Sequence, residues 1–240
     1  MTEKLYWKDQ YMREFESKVT KAVGNRIYLE STAFYPTGGG QPADTGKLFI
    51  NGKEYKINDV ESEGDEIVHI SDAVFDVQAG ASAKGMIDWD KRYMHMRLHT
   101  AIHLLDAIVE RFYGSGMITG GQIFDDRARI DVDMPELNKE KAAEIITKAN
   151  AEAAKGYRVS AREIDKDEAL KMERLARTEP GRELIKSLDK VRVVEIEGLD
   201  MQADGGTHVR NTNEIGTMLL SNYENKGRHS KRVEIRLQNQ

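Results

Sequence analysis

The stretch YMHMRLHTAIHLLDAIVERFY, residues 93–113, is where the chain changes its period. Leu98, Ala101, Ile102, Leu105, Ile108, Val109 and Phe112 recur three and four residues apart, which predicts one apolar stripe on a helix that begins near Asp90. GSG at 114–116 ends it. Upstream, from Lys18 to Asp88, the pattern is shorter: RIYLESTAF, KLFINGKEYKI and EIVHI alternate apolar and polar residues between glycine-containing turns. That alternation predicts a small antiparallel barrel or sandwich.

Downstream, QIFDDRARIDVDM reads as strand. Helices are predicted from about Pro135 to Lys155 and from about Asp165 to Arg177, and VRVVEIEG, EIGTMLLSNYEN and KRVEIRL return to strands. The expected fold class is α+β, a small N-terminal β-barrel domain at 1–88 followed by an α+β domain at 89–240. The helices between 136 and 177 mix Lys and Glu at i, i+4 spacing and read as a solvated face.

The chain has 240 residues, 32% of them charged, no cysteine and a net charge of −5. Without cysteine there are no disulfides and no thiolate ligands, so a metal here needs His, Asp, Glu or backbone oxygen. The acidic balance argues against a globally basic nucleic-acid binder and leaves room for a local basic patch. No apolar run approaches the roughly 20 residues that span a bilayer, and MTEKLYWKDQ is too polar for a secretory signal, so the expected location is the cytoplasm, with no membrane partner.

His99 and His103 are four apart and share one face of the helix, on the border of the apolar stripe. A pair so spaced can chelate a divalent ion, although taken alone it reads first as two polar residues edging a core. It is not the zinc-protease motif, because Thr100 stands where that motif needs Glu. In ADGGTHVRNTNEIG, residues 203–216, Asp204 and His208 are a second pair four apart, separated by a Gly-Gly that permits a tight turn. Three imidazoles and one carboxylate can fill a tetrahedral site. The long gap between the two pairs is not diagnostic.

HTAIHLL, GGTHVRNTNEIG and FYPTGGGQPADTG together resemble the AlaX family of alanyl-tRNA editing proteins, relatives of the editing domain of alanyl-tRNA synthetase. The resemblance covers about 34–237. It implies that His99, His103 and His208 bind Zn²⁺. The family's usual cysteine is Asp204 here, which keeps one negative charge beside the ion and forms a shorter bond than sulfur does. Asp204 is expected to be a ligand, with a role in orienting water or a histidine as the alternative.

The implied activity is a zinc-dependent aminoacyl-tRNA hydrolase. It would remove a wrong amino acid, serine foremost and glycine next, from the 3′ end of alanine tRNA. The alternatives are a tRNA-binding module without catalysis and a zinc hydrolase of small esters or amides. The length resembles the medium-sized members. Thr119 and Gln122 are candidate pocket residues, and Gly38, Gly39, Gly40 and Gln41 are expected to help position the acceptor end. Lys226, Arg228, Lys231 and Arg232, within KGRHSKR, are candidate phosphate contacts, with Lys91, Arg92 and Arg97 second. His69, His95 and His229 have no assigned role, and the oligomeric state is not legible.

Overall fold

The computed structural model describes residues 1–114, 117–172, 175, 183 and 185–238. Two compact units are present, Met1–His95 and Met96–Gln240. The division falls within a helix that begins at Trp89, whereas the sequence pattern placed it at Asp88.

The first unit opens with strand β1 (Glu3–Lys4), helix α1 (Leu5–Lys8), β2 (Glu14–Val23), β3 (Arg26–Leu29) and β4 (Ser31–Thr32). It continues with β5 (Gly46–Ile50), β6 (Lys53–Glu63), β7 (Glu66–Ser71) and β8 (Ser82–Ile87). Six strands close into a barrel in the order β2-β3-β7-β6-β5-β8, and every recorded pairing within it is antiparallel. The period-2 pattern is the cause: Leu48 and Ile50, Tyr55 and Ile57, and Ile67 all turn inward with Phe15, Val19, Ile27 and Leu29. Two glycines let the wall close. A Cβ at Gly85 would sit 2.2 Å from the Phe15 ring, and one at Gly46 would sit 2.2 Å from the Met86 carbonyl. Inside the barrel His69 is fully buried; its Nε2 meets Thr32 Oγ1 at 2.8 Å and its Nδ1 meets the Ile27 carbonyl at 3.2 Å. Burial pushes its pKa down to about 4, against a smaller opposing effect of the Ile27 carbonyl.

The glycine motif has a fixed shape. Gly38 N–H donates to the Gln41 carbonyl and Gln41 N–H to the Gly38 carbonyl, while Gly39 and Gly40 take positive φ of 57° and 78°. Just beyond it, Asp44 accepts from Tyr35 N–H at 2.6 Å and from Arg92, whose guanidinium also donates to the carbonyls of Ala33 and Gln10. Both Arg92 and Asp44 are 0% exposed. Arg92 is thus spent inside the first unit, which corrects its expected place among phosphate-contacting cations.

Helix α2 (Trp89–Tyr113) carries the opening stretch of the second unit, followed by β9 (Met117–Ile123), β10 (Ala128–Asp133), α3 (Lys139–Ala153) and β11 (Val159–Asp165). Then come α4 (Lys166–Lys171), β12 (Lys190–Ile196), β13 (Asp200–Ala203), β14 (Met218–Asn225) and β15 (Lys231–Leu237), with a 3₁₀ turn at Thr212–Ile215. Four strands form one sheet, β14-β15-β10-β9, and three form another, β11-β12-β13. The expected strand QIFDDRARIDVDM is in fact parts of two, because Phe124 N–H bonds the Arg127 carbonyl and folds the segment into a hairpin. Strands β11 and β13 were not foreseen. Of the helix expected at 165–177 only α4 is described, and 173–174 and 176–177 lie outside the described residues, as do 115–116 of the GSG.

Within this unit α2 is buried on more than one stripe. Leu98, Ala101, Leu105, Ile108 and Val109 are inside as expected, Leu104 and Ala107 join them, and Phe112 is 47% exposed, against expectation. Helix α3 is capped by Asn138, which accepts from Lys141 N–H, and it buries Ala142, Ile145, Ile146, Ala149 and Ala153. Its outer side keeps the Glu144–Lys148 pair at 3.1 Å. No helix among the described residues is long and apolar enough to cross a membrane.

Candidate metal centre

Two elements of the second unit build the site. The regular turn of α2 sets His99 and His103 one above the other, and the segment after β13 brings Asp204 and His208 opposite them. One donor atom from each of the four lies within 4.8 Å of all the others. The three imidazole centroids are 4.4 Å (His99–His208), 4.7 Å (His103–His208) and 5.2 Å (His99–His103) apart. Asp204 Oδ2 is 2.7 Å from His208 Nε2, and Asp204 Oδ1 is 3.7 Å from His99 Nε2. For bonds of about 2.0–2.2 Å, a tetrahedral site has donor–donor edges of about 3.4 Å, and these two separations bracket that figure. Three imidazole nitrogens and one carboxylate oxygen are a donor set that suits zinc. The residues present fit a divalent metal ion.

The charge states of Asp204 and His208 agree. Burial alone raises the Asp204 carboxyl pKa, but His99, the His208 hydrogen bond and His103 outweigh it and hold the group well below the usual carboxylate range. Burial, together with the neighbouring His99 and His103, holds His208 well below the ordinary imidazole range despite Asp204. For His103 burial works downward, and Asp200, Asp204 and Asp106 together win and raise it. The site therefore presents an anionic carboxylate and an uncharged His208 at neutral pH, the forms that bind metals.

Residues the sequence did not single out as partners hold these groups in place. Thr100 Oγ1 donates to the Met96 carbonyl at 2.9 Å, and it accepts from Val209 N–H at 3.2 Å. Thr100 Oγ1 is also 3.2 Å from His208 Nδ1, and with its one hydrogen on Met96 it would accept from that nitrogen once a metal ion takes the Nε2 lone pair. Arg192, in β12, donates from Nη1 to the carbonyls of Asp204 and Gly206, both at 2.9 Å. A charged residue inside the valine run VRVV was the available signal, since such a residue is seldom buried without a partner. Asp204 itself closes the turn by accepting from Gly206 N–H at 2.9 Å. Gly205 has no positive φ, and a Cβ there meets nothing within 4 Å, so this glycine is not what shapes the turn.

The other candidates fall elsewhere. Thr119 and Gln122 lie on β9, the edge strand of the four-stranded sheet; Thr119 Oγ1 donates to the Asp131 carbonyl at 3.3 Å and Gln122 Nε2 to the Ile123 carbonyl at 3.2 Å. A Cβ at Gly121 would meet Ile102 of α2 at 3.6 Å, so strand alternation turns Gln122 to the opposite sheet face. Around the β14–β15 turn, Lys226 and Arg228 are exposed. Lys231 is buried with its ammonium on Asn225 Oδ1, and Arg232 makes a two-pronged pair with Asp131 at 2.8 and 2.9 Å. Arg97 is buried on the Ile215 carbonyl, and Lys91 is half-buried. His229 pairs with Asp133 at the surface.

Fold and site together define a class: a closed β-barrel unit joined in sequence to an α+β unit with a buried three-histidine, one-aspartate candidate metal centre. The model of the class II (A) tRNA synthetases matches residues 5–91, and that of the threonyl and alanyl tRNA synthetase second additional domain matches 191–234. The alanyl-tRNA editing protein AlaX-M of Saccharolobus solfataricus is 42% identical over 97% of this chain and 98% of its own length. The AlaX-M of Methanosarcina mazei is 39% identical over 100% of this chain and 98% of its own. The alanine–tRNA ligase of Pyrococcus abyssi is 37% identical over 91% of this chain, which corresponds to 24% of the ligase. The chain belongs to the AlaX-M family of alanyl-tRNA editing proteins.

Proposed function

We propose that the protein is a zinc-dependent, free-standing hydrolase that removes serine, and secondarily glycine, from mischarged alanine tRNA in the cytoplasm. The observation that carries this reading is the convergence of His99, His103, Asp204 and His208 within 4.8 Å in a chain of this family. These four residues would hold the ion. Bound there, zinc supplies a Lewis acid for the ester or an anchor for the free α-amino group of the aminoacyl moiety. The chain's own part is to keep Asp204 ionised and His208 neutral, to fix the His208 tautomer through Thr100, and to hold the 204–208 turn through Arg192. Lys226 and Arg228 are the exposed cations of their turn and are assigned to tRNA phosphates. Thr119 and the Gly38–Gln41 turn are assigned to the aminoacyl and acceptor end, and Gln122, on the sheet face away from α2, is not.

Substitution of His99 or His208 by Ala tests the reading. Each variant should lose bound zinc and ester hydrolysis together while retaining salt-dependent tRNA binding. Undiminished hydrolysis in a zinc-free variant would refute it, and activity on small esters without tRNA would point to a different hydrolase.

A further inference from the structure

One ring nitrogen of His103 is left over by the cluster. His103 Nδ1 is buried and has no hydrogen-bond partner among the described residues, and Asp200 Oδ2 lies 3.5 Å from it. A buried N–H without an acceptor costs about 1–3 kcal/mol, so an imidazole carrying its hydrogen on Nδ1 is drawn to that carboxylate. Asp200 is 3% exposed and is held in place. Gln202 Nε2 donates to Asp200 Oδ2 at 2.8 Å and also to Asp106 Oδ2 at 2.6 Å, one hydrogen for each carboxylate.

This bridge joins the two halves of the site. Asp106 follows His103 by three residues on α2 and so lies on the same side of the helix. Asp200 and Gln202 belong to β13, whose last residue, Ala203, precedes Asp204. One amide therefore ties the helix bearing His99 and His103 to the strand that runs into Asp204 and His208. Asp200 is not one of the four residues whose donor atoms converge, and Nδ1 is the His103 nitrogen that faces it.

We propose that Asp200 is a positioning residue for the metal centre: it accepts the Nδ1–H of His103, fixing the tautomer that offers Nε2 to the ion, and Gln202 holds Asp200 there by bridging it to Asp106. This rests on the reading that the cluster binds a metal. A carboxylate behind a ligand imidazole fixes the ring and raises its basicity, and removing such a partner typically weakens metal binding 10–100-fold.

The test uses the full chain and zinc alone. Long-range ¹⁵N NMR of the zinc-loaded protein should find His103 protonated at Nδ1 and metal-bound at Nε2. By chelator competition Asp200→Ala should bind zinc about 10–100-fold more weakly, and Asp200→Asn, which keeps an acceptor and loses the charge, should fall between it and the wild type. If Asp200→Ala does not fold, the isosteric Asp200→Asn carries the test. Wild-type zinc affinity in the folded variants overturns the proposal, even with lowered thermal stability, because that combination makes Asp200 structural only. Metal bound through Nδ1 also overturns it. A wild-type chain that takes up no zinc overturns the metal reading itself, whereas zinc-loaded wild type with unaltered variants removes only the role of Asp200.

Discussion

Replacing Thr100 by Val keeps the shape of the side chain and removes one oxygen atom that serves three groups. That oxygen donates to the Met96 carbonyl and accepts from Val209 N–H and from His208 Nδ1. The Met96 carbonyl lies within α2, so its loss matters least. Val209 and His208 are 0% and 1% exposed, so neither donor can turn to water instead. At about 1–3 kcal/mol for each buried donor left unsatisfied, Thr100→Val should destabilise the chain by about 2–6 kcal/mol. That is a large fraction of the 5–15 kcal/mol typical of a native domain. Urea unfolding should be followed by far-UV circular dichroism, since both tryptophans, Trp7 and Trp89, fall in the first unit. Zinc affinity should fall as well, because His208 loses the acceptor that sets its tautomer. Thr100→Ser, which keeps the oxygen, should behave nearly as the wild type. A Thr100→Val chain within about 0.5 kcal/mol of wild type, with faster exchange neither at Val209 nor at its neighbours, would refute the assigned network.

Four further outcomes are expected. Asp44→Asn leaves the Arg92 guanidinium buried without its counter-ion and should cost about 3–5 kcal/mol by chemical unfolding. His69 has its pKa depressed from 6.5 to about 4 in the folded barrel, so its contribution is present above pH 6.5 and is lost as pH falls toward 4. Across that window stability should drop by up to about 3 kcal/mol more in wild type than in His69→Leu. Gly205→Ala should leave stability and zinc uptake unchanged, whereas Gly85→Ala drives a methyl into the Phe15 ring and should cost at least about 1–3 kcal/mol, both read by thermal unfolding. Lys226→Ala and Arg228→Ala should each lower the salt-dependence slope of tRNA binding by about 1, while Lys231→Ala acts mainly on stability.

The barrel was legible because alternate residues of its strands face one interior, as Leu48 and Ile50 of KLFI do. Half of the candidate cluster was legible for a similar reason, since i, i+4 spacing on a helix fixes the relation of His99 to His103, whereas the resemblance to a family joined Asp204 and His208 to it. What remained hidden depends on contacts far apart in the chain. Arg92 looks like a free cation at a helix start until the fold brings Asp44 to it across 48 positions. Lys231 and Arg232 look like a basic run until strand pairing sets Arg232 opposite Asp131. Gly-Gly in the 204–208 turn suggested glycine conformations, but the turn is held by the Asp204 side chain on Gly206 N–H and by Arg192 on two of its carbonyls. Asp200 and Gln202 were missed because the alternation of DMQA spans only four residues, and nothing local in it pairs Gln202 with Asp106 across 96 positions.

The most direct test of the account is deacylation of serine-charged alanine tRNA by the purified protein, with zinc quantified in the same sample and alanine-charged tRNA as control. The account predicts about one zinc per chain, hydrolysis of the serine ester and an intact alanine ester. Zinc-free protein that hydrolyses the serine ester, or zinc-loaded protein that binds the tRNA and leaves it charged, would contradict it.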